Sequence, residues 1–117
     1  MNGFVLDASV AIKWFVDDEP HTAEAKALLA AYSAGRLDLI APDLLWFELC
    51  NVLWKAVRTR RITGTRATDS LVRMEQVGIS TVSNRHLRED ALMIALTHHR
   101  SVYDASYLAL AATSACP

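Results

Sequence analysis

The chain lacks several features that would have settled its class at once. It has no strong charge of either sign: the formal net charge is −1 over 117 residues. No global basic field therefore advertises a nucleic-acid partner, and only a local patch could serve one. Cysteine is scarce. Cys50 and Cys116 are far apart and lack CxxC spacing, which argues against a zinc site or a disulfide framework and for a reduced, cytosolic protein. There is no charged leader with an apolar core and cleavage site, and no apolar run long enough to cross a bilayer. The expectation is a soluble cytoplasmic protein with no membrane contact. A Gly-rich phosphate loop is missing, as is a serine in an elbow motif, which removes nucleoside-triphosphate and acyl-transfer chemistry. Repeats, low-complexity tracts and linkers are also lacking.

What is present suits one domain with a real core, since 52% of residues are apolar. "GFVLD" is a brief apolar run ending in an acid, and it predicts a buried strand over Phe4–Leu6. "DEPHTAEAKALLAAYSAG" predicts a helix with Pro20 in its first turn and Gly35 at its exit. "RLDLIAP" predicts a strand over Leu37–Ala41. Pro42 then opens a long helix in which Leu45, Leu49, Val52, Leu53 and Ala56 form one apolar stripe. "TRATDSLVRMEQVG" reads as a helix with Thr65 as candidate cap and Gly78 as exit. "ISTVS" is a third strand, and two further helices close the chain. Strands alternating with helices predict an α/β domain with a parallel sheet.

Three acids stand out against this frame. Asp7 follows the first strand directly, and ligands of open α/β sheets collect at the carboxyl ends of strands. Capping of the next helix explains the same position equally well. Glu48 lies in a helix that is apolar nearly all round ("LLWFELCNVLW"), where a carboxylate is costly without a partner. With Asn51 and Lys55 it forms a polar line at i, i+3, i+7. Asp104 opens an Ala- and Leu-rich helix, where capping and the helix dipole also favour an acid. Converging carboxylates repel one another and persist when a cation neutralises them. Oxygen donors favour Mg²⁺ or Mn²⁺ over zinc.

"VLDASVAIKWFVDDEP", "APDLLWFELCNVLWKAV" and "SVYDASYLALA" resemble, in order and spacing, the PIN-domain family, in particular the VapC-type toxin ribonucleases of toxin–antitoxin pairs. The likeness runs over essentially the whole chain. It implies a three-layer α/β/α fold around a central parallel sheet. It also implies an endoribonuclease in which Asp7, Glu48 and Asp104 hold Mg²⁺ or Mn²⁺, with Ser9 and Asn51 in support. RNA would be the substrate, a cognate antitoxin the inhibitor and a homodimer the assembly. Family members usually continue into another strand and a fourth acid, so the expectation is a PIN-like domain over 1–117 that is short at its C-terminal end. A catalytically impaired remnant that binds RNA or antitoxin is the alternative.

Around this centre, "KAVRTRRITGTR" clusters Lys55, Arg58, Arg60, Arg61 and Arg66. It reads either as a phosphate-tracking patch, with Lys55, Arg58 and Arg61 as RNA contacts, or as a solvated helix end. Trp14, Trp46, Trp54, Tyr103 and Tyr107 could stack on bases or fill a core. Asp17–Glu19 reads as a solvated turn and His98–His99 as a surface pair.

Overall fold

The computed structural model describes residues 2–16 and 20–114. The Asp17–Glu19 turn and the Cys116–Pro117 end lie outside the described residues.

Three short strands, β1 (Asn2–Val5), β2 (Leu37–Pro42) and β3 (Ser80–Val82), form one sheet in the order β1-β2-β3. Both pairings are parallel, with Phe4 opposite Leu39 and Ala41 opposite Thr81. Parallel strands need crossovers, and helices supply them. These are α1 (Ala8–Ala11), extended by a 3₁₀ turn at Ile12–Trp14, then α2 (Thr22–Ser33), α3 (Leu44–Arg58) and α4 (Gly64–Val77). Two more, α5 (Asn84–His98) and α6 (Val102–Ser114), follow β3. Among the described residues no helix is long and apolar enough to cross a membrane.

The strands alternate their side chains between two cores, as the two-residue period of a pleated sheet requires. Phe4, Leu37, Leu39 and Ala41 face the larger one, with Leu45, Leu49 and Leu53 of α3 and Met74 of α4. Val5, Ile40 and Val82 face the smaller one, formed with Leu87 and Ala91 of α5 and Ala105, Ala109 and Leu110 of α6. The result is the three-layer α/β/α arrangement expected. Four of the five stripe residues on α3 are buried, Leu45 and Leu49 fully and Leu53 and Ala56 nearly so, whereas Val52 is half-buried and borders the cleft. Trp14 is also buried, its indole N–H donating to the Ala25 carbonyl at 2.7 Å.

Several boundaries move from their expected places. β1 ends at Val5, although Leu6 N–H still donates to the Ile40 carbonyl at 2.8 Å. Pro42 closes β2 and does not open the helix. Its missing N–H costs nothing there, because the Asp43 N–H takes the next bond, to the Val82 carbonyl at 2.9 Å. Pro20 precedes α2 by two residues, with His21 between them in a left-handed conformation (φ 60). The cap of α4 is Thr63 and not Thr65: the Thr63 hydroxyl accepts from the Arg66 N–H at 3.1 Å, which satisfies a donor that the first turn leaves open. Gly35 and Gly78 sit at the helix exits as read, at φ 73 and φ 75, a region that L side chains enter at a cost.

Candidate metal centre and nucleic-acid cleft

The carboxyl ends of the strands open into a cleft of about 840 Å³. Its walls come from three places: the turn after β1, one face of α3 from Leu44 to Lys55, and the loop into α6 with the first turns of that helix. Asp7, Ser9, Glu48, Asn51, Lys55 and Asp104 all line it. Six of the eight candidate residues read from sequence thus share one concavity, although they come from elements packed on opposite faces of the sheet.

Asp7 both caps a helix and lines the cleft. Its Oδ1 accepts the Val10 N–H at 3.1 Å as N-cap of α1. The same oxygen accepts the Ser9 hydroxyl at 2.7 Å. Ser9 therefore orients the carboxylate directly. Glu48 is half-buried and has the partner that its environment demands: the Tyr107 hydroxyl donates to its Oε1 at 2.5 Å, across 59 positions of sequence. Asn51 and Lys55 follow Glu48 along the same helix face and are exposed.

Asp104 is exposed and stands in the first turn of α6. It is not the cap of that helix. The Ser101 hydroxyl accepts the Asp104 N–H at 3.0 Å, so the capping duty falls three residues upstream. Capping is thereby removed as a reason for Asp104, while its carboxylate still gains from the positive end of the helix dipole.

Tyr107 was not singled out in sequence as a partner of the acids. A signal existed: it lies one helical turn beyond Asp104, on the same face of an Ala- and Leu-rich helix. Its phenol is pushed far above the ordinary tyrosine value. Burial is the main cause, followed by the hydrogen bond to Glu48 and the negative charges of Glu48, Asp7 and Asp104. The hydroxyl therefore stays protonated at neutral pH and donates to Glu48, and all three acids oppose its ionisation. Arg100 and Ser101 also line the cleft, as do the aromatic rings of Phe47 and Tyr103, which are 80% and 65% exposed.

The arginines of the proposed patch part company with Lys55. Arg58 stacks on the Trp54 ring at 4.9 Å from its centroid. Trp54 lines a separate apolar groove with Cys50, Leu53, Val57 and Leu71. Neither Arg58 nor Arg61 lines the acidic cleft. Arg66 is tied to the Phe15 carbonyl at 3.1 Å. Trp46 packs half-buried against the larger core. His98 and His99 are exposed at the end of α5, His99 in a left-handed conformation.

The donor set fits a hard divalent cation: every candidate ligand offers oxygen, and the negative charge is concentrated in one cleft. The side chains encircle the cleft and do not converge on a point. Among the described residues no three acidic, histidine or cysteine side chains stand close enough to ligate one ion together. Tyr107 holds Glu48, while Ser9 and Val10 hold Asp7. Closing the ring takes side-chain rotations, of which exposed Asp104 is freest to make its share.

A three-stranded parallel sheet covered by helices on both faces, with acids lining a cleft at the carboxyl ends of its strands, defines the class: an α/β protein with a charged cleft between its layers. The PIN domain profile matches residues 4–117, and the chain belongs to that family, as a VapC-like member. It is similar to Ribonuclease VapC3 of Pyrobaculum aerophilum, 31% identical over 109 residues that cover 92% of this chain and 79% of the relative.

Proposed function

We propose that the chain is a metal-dependent endoribonuclease, the toxin of a toxin–antitoxin pair, which hydrolyses RNA phosphodiester bonds in the cleft between α3 and α6. One observation carries the reading. Asp7, Glu48 and Asp104 reach a single cleft from three separate elements, and the helix-capping alternative for Asp104 is taken up by Ser101. Kinship with a protein named a ribonuclease supports the same chemistry.

In this reading Asp7, Glu48 and Asp104 would hold Mg²⁺ or Mn²⁺, with Ser9 and Asn51 in support. A bound ion of this kind supplies charge neutralisation at the phosphate and a more acidic water as nucleophile. The chain's own residues do the rest. Ser9 fixes the Asp7 carboxylate and Tyr107 fixes Glu48. Lys55 and Arg100, both exposed at the cleft, draw the phosphate backbone against the local negative charge. Phe47 and Tyr103 offer faces on which unpaired bases stack. Arg58 and Arg61 would bind RNA only outside the cleft, at and just beyond the C-terminal end of α3. The reading includes a protein antitoxin, a homodimer and a cytoplasmic setting. The exposed Leu92, Met93 and Leu96 of α5 supply apolar surface for a protein neighbour.

Calorimetric titration of Mn²⁺ into the wild type and Asp7→Asn, run beside cleavage of a labelled single-stranded RNA, tests the proposal. Metal binding and cleavage lost together in the variant are the expected result. Metal binding without cleavage in the wild type would replace the nuclease by a binding module. No metal binding in the wild type would end the proposal.

A further inference from the structure

The Tyr107–Glu48 hydrogen bond does more than satisfy a half-buried carboxylate. It ties α6, packed on one face of the sheet, to α3, packed on the other. At 2.5 Å it is a short hydrogen bond of the charge-assisted kind. It also falls on one oxygen only. With Oε1 accepting the Tyr107 hydroxyl, the carboxylate offers the cleft one uncontested oxygen and one already shared. A cation that takes both must share Oε1 with the hydroxyl or displace it.

Divalent ions differ in how they use carboxylates. Ca²⁺ takes six to eight oxygens and accepts both oxygens of one carboxylate; Mg²⁺ and Mn²⁺ favour an octahedral shell with several waters retained. Resting on the metal-dependent reading above, we propose that Tyr107 is a positioning residue that sets cation selectivity: its hydroxyl holds Glu48 to one available oxygen and so favours small octahedral ions over Ca²⁺. Partners of metal-ligating side chains typically change affinity by about 10- to 100-fold when removed. A residue that only braced two helices would weaken every ion alike. One that sets the number of available oxygens changes the ratio between ions.

The test measures Mn²⁺ affinity by electron paramagnetic resonance and Ca²⁺ affinity by competition, on the full chain, for the wild type and Tyr107→Phe. Melting in EDTA establishes that the variant folds. The phenylalanine ring keeps the packing and removes only the donor. The expected result is a Mn²⁺ affinity weakened by about tenfold with Ca²⁺ changed by less than about threefold, so that the preference for Mn²⁺ narrows. Equal weakening of both ions overturns the proposal in favour of a simple brace, and unchanged affinities overturn it outright. A wild type that binds neither ion removes the metal-dependent reading and this inference with it. Should Tyr107→Phe fail to fold, 3-fluorotyrosine at position 107 decides. It keeps the ring and strengthens the donor, so the preference for Mn²⁺ should widen, and an unchanged ratio overturns the proposal.

Discussion

Replacing Asp104 by asparagine separates the two duties that an acid at a helix mouth can have. The Ser101 hydroxyl already accepts the Asp104 N–H, so Asp104→Asn leaves the cap of α6 in place. The change removes one of three negative charges in the cleft. Asp7 and Asp104 are both exposed, so the relief of repulsion is worth less than about 1 kcal/mol. The lost attraction to the helix dipole works the other way, by about 0.3–1 kcal/mol. The two nearly cancel. For a chain of this length about 1 kcal/mol corresponds to roughly 4 °C in melting temperature. The metal-free variant should therefore melt within about 4 °C of the wild type. With Mn²⁺ at about a hundred times its dissociation constant, the wild type gains about 2.7 kcal/mol. That is a rise of about 11 °C, of which the variant keeps less than a third. Ser101→Ala supplies the opposite pattern: loss of the cap costs about 0.5–2 kcal/mol, while the increment on adding Mn²⁺ survives. Scanning calorimetry in EDTA and in Mn²⁺ reads both. If Asp104→Asn lowers the metal-free melting point by more than about 8 °C, the acid is holding the helix and the reasoning fails. A Mn²⁺ increment as large as the wild type's would refute its place in the site.

The raised Tyr107 pKa makes a prediction at alkaline pH. A group whose folded pKa exceeds its unfolded value contributes stability that is complete below the unfolded value and lost above it. For tyrosine that unfolded value is near 10. The advantage of the wild type over Tyr107→Phe in urea denaturation should thus be constant from pH 7 to 9 and shrink above 10, by up to about 1.4 kcal/mol per pH unit. A constant gap up to pH 11 would contradict it. Lys55→Ala should weaken RNA binding and lower the salt slope of log K by about 1. Filter binding across a salt series reads that slope; Arg58→Ala, with its guanidinium on Trp54, should leave cleavage of the labelled RNA nearly unchanged, which the cleavage assay reads. Leu49→Ala, at a fully buried position of α3, should cost about 2.7–5 kcal/mol in denaturant unfolding without altering the order of metal preference.

Much of the site could be read from residue order because its parts obey local rules. Asp7 ends an apolar strand, and strand ends face the crevice. Glu48 breaks a helix that is otherwise apolar, and such a carboxylate demands a partner. What stayed hidden was that partner, because Tyr107 is 59 positions away and only packing of α6 against the sheet brings it near. The role of Asp104 was equally hidden. Sequence cannot say which of Ser101 and Asp104 caps α6, since both residue types suit the post and lie within one turn. The same ambiguity moved the α4 cap from Thr65 to Thr63. The basic cluster divides in space because nearness along a helix is not a shared direction: Lys55 lines the cleft, whereas Arg58 lies against Trp54.

The sheet that supports all this is three strands wide, and its two faces carry separate cores. Glu48 rides on one slab of the molecule, and Asp104 with Tyr107 on the other. The shape of the cleft therefore depends on how the two slabs meet, and the Tyr107–Glu48 hydrogen bond is a direct stitch across that seam.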